Sequence, residues 1–121
     1  MKYSINKEEK YSLLHLNEEK IDSTLSPIVK TEVITLHAEG VTNIILDLAD
    51  VKYIDSSGLS ALLVGNRLFK DEGGKFILAN INEHVSKLIK ISQLDSVLEI
   101  KDSTQDAIDA VFFNEIERDV N

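Results

Sequence analysis

"NIILDLADVKYIDSSGLSALL", residues 43–63, decides the fold. Ile44, Ile45, Leu46 and Leu48 form a near-continuous apolar run, the pattern of a strand covered on both faces. The strand is expected over 42–49, followed by a turn through Asp50 and Lys52. Then the period changes. Ala61, Leu62, Gly65, Leu68 and Phe69 recur on one stripe of a helix expected over 57–72, which Gly73-Gly74 ends. A covered strand leading into an amphipathic helix is the repeating unit of a parallel α/β sheet.

The flanks extend that unit. "YSINK" (3–7) and "YSLLHL" (11–16) have the spacing of a hairpin. A helix is expected over 22–39, with Asp22 or Ser23 as its cap, Pro27 in its first turn and Gly40 as its stop. "KFILAN" (75–80) is a second covered strand, and Asn82 caps a helix over 82–92. "SVLEI" (96–100) is a last strand, and Ser103 or Thr104 caps a helix through Ala107, Ile108, Val111 and Phe112. The order predicts a single α/β domain over 1–113: a mixed sheet, antiparallel at the N-terminal hairpin and parallel elsewhere, packed with about four helices. Residues 114–121 are expected to fray as an acidic tail. The last 20 residues hold six acids and one base, which concentrates most of the chain's negative charge there.

Composition excludes several functions. The chain has 121 residues, enough for one domain. Its net charge of −8 argues against a nucleic-acid binder, which normally shows a basic face, and suits a basic protein partner. It has no cysteine, so disulfides and thiolate chemistry are absent. No apolar run is long enough to insert in a membrane, so a cytoplasmic location is expected.

Chemistry for catalysis is not visible either. His15, His37 and His84 fall on three separate elements, none at metal-ligand spacing. They read as surface or edge residues. Gly73-Gly74 follows a helix and lacks the lysine of a phosphate-cradling loop. Ser57 lacks the glycine that precedes the serine of a nucleophile elbow. Asp47, Asp50 and Asp55 are read as turn and cap residues rather than magnesium ligands. No enzyme, cofactor or metal is expected.

The double serine of "YIDSSGL" (53–59) is the remaining feature. Asp55 or Ser56 can cap the helix by accepting from its unsatisfied N–H groups. Ser57 is then expected at the helix start with its hydroxyl solvent-facing, and Gly58 beside it leaves room for another molecule. A phosphate there would add about −1.5 to −2 charges where a helix start favours anions. The domain should tolerate it while a docked partner should not. On the chemistry alone, the simpler reading is that both serines merely cap and begin the helix. Leu59 and Leu63 lie on a second, mixed stripe, either the margin of the core or a partner surface adjoining Ser57.

These residues carry a resemblance. Residues 43–63 together with "GGKFILANINEHVSKLIKISQLDSVLEI" (73–100) resemble the STAS domain of bacterial anti-sigma factor antagonists. The resemblance implies a mixed-sheet α/β domain. Its unphosphorylated form binds an anti-sigma factor, often a serine kinase of the histidine-kinase-like ATPase type, and so controls sigma-factor-dependent transcription. It implies phosphorylation of Ser57, reversed by a phosphatase, and a partner surface including Asp22, Asp55, Ser56, Ser57, Gly58 and Leu59, to which the helical stripe adds Leu63. One departure stands out. Where the family shows a G-E-L-D type stretch, this chain has "NEEKID" (17–22), which keeps Asp22 but not the glycine. The alternative is an accessory STAS subunit of a lipid transporter or larger signalling complex, in which the serine is never modified.

Overall fold

Side chains of the central strands sort by period two onto the two faces of one sheet. Ile44 and Leu46 of β4 (Asn43–Asp47) and Phe76 and Leu78 of β6 (Lys75–Ala79) point to one face. Ile45, Ile77 and Ala79 point to the other. All seven are fully buried. The computed structural model describes residues 1–120.

The other elements are β1 (Tyr3–Lys7), β2 (Ser12–Leu16), β3 (Lys20–Ile21), α1 (Ser26–Ala38), β5 (Tyr53–Ile54), α2 (Ser56–Asp71), α3 (Glu83–Ile91), β7 (Glu99–Lys101) and α4 (Thr104–Val120). The main sheet runs β1-β2-β4-β6-β7. Only the β1–β2 hairpin is antiparallel; the rest of the sheet is parallel, as the alternating pattern predicts. The larger core joins the first face to Val29, Val33 and Leu36 of α1, Leu62 and Phe69 of α2, and Val85 and Ile89 of α3. The smaller core joins the second face to Ala107 and Val111 of α4.

Four details differ from the sequence expectation. A second, two-stranded parallel sheet pairs β3 with β5, and each strand is too short to show a period. Helix α1 starts at Ser26 because residues 22–25 form a turn. The Asp22 carboxylate accepts from the N–H of Thr24 (3.0 Å) and of Leu25 (3.3 Å). Pro27 then falls where a missing N–H costs nothing. Strand β7 is shorter than expected, because the N–H groups of Val97 and Leu98 turn back to the Leu94 carbonyl. Finally, residues 114–120 of the expected tail continue α4, while residue 121 lies outside the described residues. Glu115 accepts from the buried Asn43 amide at 2.7 Å, and the Asn114 amide donates to the Gly73 carbonyl at 3.2 Å.

Candidate functional site

The site is built where β5 hands over to α2. Asp55 follows Ile54 with extended backbone (φ −106°, ψ −173°) and caps the helix. Its Oδ1 accepts from the N–H of Ser57 (3.0 Å) and of Gly58 (3.1 Å), two of the donors a helix start leaves unmet. The same oxygen accepts the Ser57 hydroxyl at 2.5 Å. These bonds, led by the Ser57 hydroxyl and then the Gly58 N–H, hold the Asp55 carboxyl below the ordinary aspartate value of 3.8.

The Ser57 hydroxyl is therefore not free and solvent-facing, as the sequence suggests. Ser57 is half-buried, and Ser56 beside it is exposed. Its Oγ also lies 3.0 Å from the Oγ of Ser26 on α1. Ser26 is buried and donates to the Asp22 carbonyl at 2.6 Å. Two hydroxyl protons thus serve three contacts. Asp22 O and the ionised Asp55 can only accept, so Ser26 donates to one and Ser57 to the other. The contact between the two hydroxyls gains a proton only when one of those bonds is given up.

Gly58 also differs from expectation. It is buried, and its missing side chain faces inward rather than toward another molecule. A Cβ there would run into Ile54 Cγ1 and would stand 2.6 Å from the Ile21 carbonyl oxygen. The glycine lets the start of α2 press against the β3–β5 ladder. That ladder draws in the "NEEKID" loop: Glu19 O accepts from the N–H of Lys52 (2.7 Å) and of Tyr53 (3.0 Å). Asp22 thereby reaches the site through Ser26.

Leu59 is 6% exposed and belongs to the larger core, so only Leu63, half-buried, remains at the surface of that stripe. The structure brings Asp22, Asp55, Ser56 and Ser57 to one rim and turns Gly58 and Leu59 inward. Ser26 is the residue that sequence reasoning misses. It lies 31 positions from Ser57, and no local pattern links the two.

A second polar cluster lies at the C-terminal ends of β2 and β4. His15, expected as a surface residue, sits between Asp47 on Nδ1 and Asp50 on Nε2, each at 2.9 Å. The Asp47 hydrogen bond, opposed by partial burial and aided by Asp50, raises His15 above its ordinary 6.5. Burial alone would raise Asp47, but hydrogen bonds from Asn80, His15 and the Ala49 N–H outweigh it and hold Asp47 below 3.8. Asp47 and Asp50 therefore share one histidine, and Asp55 serves a helix.

The model of the STAS domain family matches residues 4–107. The chain belongs to the STAS domain family. This STAS domain is similar to the anti-sigma-B factor antagonist of Bacillus subtilis, 26% identical over 89 residues that make up 74% of this chain and 81% of that one. An anti-sigma factor antagonist from Mycobacterium paratuberculosis superposes with a TM-score of 0.81 at 19% identity, covering 91% of this chain and 92% of that one. SpoIIAA of Bacillus in its unphosphorylated form gives 0.72 at 22% identity, covering 91% and 97%. At these identities the two structures show a shared fold alone. Among the described residues, no helix of the STAS domain is long and apolar enough to cross a membrane.

Proposed function

We propose that this STAS domain is an anti-sigma factor antagonist, a binding module that frees a sigma factor by docking its anti-sigma factor through the rim around Ser57. The name of the similar Bacillus subtilis protein supports the class. The carrying observation is the hydroxyl of the half-buried Ser57 in the first turn of α2, its proton directed at the Asp55 carboxylate. That leaves an Oγ lone pair for phosphoryl transfer. The γ-phosphoryl of ATP would move to Oγ, ADP would leave, and the hydroxyl proton would be lost to a base. SpoIIAA has been solved in a phosphorylated form, which supports the fold's tolerance of the added group. The partner would be a serine kinase of the histidine-kinase-like ATPase type, opposed by a phosphatase that restores the hydroxyl.

The phosphate would not enter a vacant anion site. Asp55 already takes the helix N–H groups, so a phosphate on Ser57 competes with a carboxylate for the same donors. The rim becomes strongly negative and Asp55 must turn away. That change would report modification to a docked partner.

A second reading has one specific support. Because Asp55 and Ser26 already engage the hydroxyl, Ser57 could serve packing alone, in an accessory STAS subunit that docks constitutively. Incubation with the source organism's anti-sigma kinases and ATP, followed by phosphopeptide mapping, separates the two. Phosphate on Ser57 is expected. Absence of modification by every such kinase, with pull-down of a transporter ATPase, would establish the second reading.

A further inference from the structure

Helix α4 has a polar-helix sequence with its outer face reversed. At 3.6 residues per turn, Ala107 and Val111 meet the sheet, where both are fully buried. Half a turn away lies the outer pole, which runs through Asp109, Phe113, Ile116 and Val120. The last three are 64%, 61% and 79% exposed. A surface helix normally carries polar residues there. These three also lie beyond the residues that the family model matches.

Their spacing of three and then four is that of a coiled-coil seam, with Phe113 and Val120 at a positions and Ile116 at d. Glu117 and Asp119 then occupy the flanking e and g positions. The helix's one cation, Arg118, sits on the inner side, 3.3 Å from Glu115. Lys75 and Lys101, which border the same cleft as Phe113 and Glu117, pair with Glu99, and among the described residues Glu117 and Asp119 make no ion pair. The outer pole therefore offers apolar side chains flanked by acids. A second copy of the chain would bring the same acids to the seam, and like charges would oppose it.

We infer that the outer pole of α4 docks an amphipathic helix of a partner protein whose apolar seam is flanked by lysine or arginine. The complementary charges fix the partner's sign, and the apolar stripe supplies the contact. This surface is separate from the Ser57 rim and does not depend on modification there.

The test uses two synthetic three-heptad peptides with leucine at a and d. One has lysine at e and g, which also keeps it from pairing with itself; the other has glutamate. Fluorescence anisotropy measures binding to the full chain, and amide shifts of isotope-labelled protein locate it. The lysine peptide should bind at least about tenfold tighter than the glutamate peptide, with shifts confined to residues 109–120. Phe113→Ser with Ile116→Ser should abolish binding. Glu117→Lys should narrow the preference between the peptides, an effect that simple misfolding would not give. Equal binding of both peptides, no binding, or shifts elsewhere would overturn the inference. So would concentration-dependent self-association lost in the double variant, which would name a second copy as occupant.

Discussion

At Ser57, two hydroxyl protons serve three contacts, and this sets what each substitution does. Ser57→Ala removes a donor to Asp55 but leaves Asp55 its two backbone N–H groups and Ser26 its bond to Asp22. Its cost should be about 1 kcal/mol or less by urea unfolding. Ser57→Asp places a second carboxylate against Asp55. It should still fold, yet melt below Ser57→Ala, with the gap narrowing in high salt. Asn is as good a cap as Asp, so Asp55→Asn in the Ser57→Asp background should recover stability. Failure of that rescue would show that the two carboxylates do not meet.

Among the elements, the β3–β5 ladder and the start of α2 depend on each other through Gly58. Gly58→Ala should cost about 1–3 kcal/mol in unfolding, because backbone at Ile21 cannot yield as a side chain would. The His15 cluster ties the ends of β2 and β4 with a pH-dependent contact. Raised above 6.5, His15 stabilises the fold fully below that pH and loses its contribution as pH climbs through the higher folded value. Asp47, depressed below 3.8, acts oppositely: its contribution is present above 3.8 and lost as pH falls through the lower folded value. Wild type should therefore exceed His15→Gln in melting temperature by more at pH 6 than at pH 9. An unchanged difference would contradict the pairing. The long elements were legible because burial marks them locally, as a near-continuous apolar run at 44–48 and a helical period at 61–69. The ladder, Ser26 and the His15 cluster were not, because each joins residues about 30 positions apart through tertiary contacts that leave no local pattern.

The whole molecule covers its sheet unequally, with α1, α2 and α3 on one face and α4 alone on the other. Helix α4 is therefore needed for the fold on its inner side and spare on its outer side. Val111→Ala should cost about 2 kcal/mol through the cavity it leaves. Phe113→Ser, on the opposite side of the helix, should fall within about 0.5 kcal/mol of wild type. Comparable losses at both positions would contradict the two-sided reading of the helix.

The most direct measurement compares the affinity of the proposed anti-sigma partner for two forms of this domain, one unmodified and one carrying phosphoserine installed at position 57. The unmodified form should bind and the phosphorylated form should bind far more weakly, while the circular dichroism of the two agrees. Equal affinity for both forms would contradict the account.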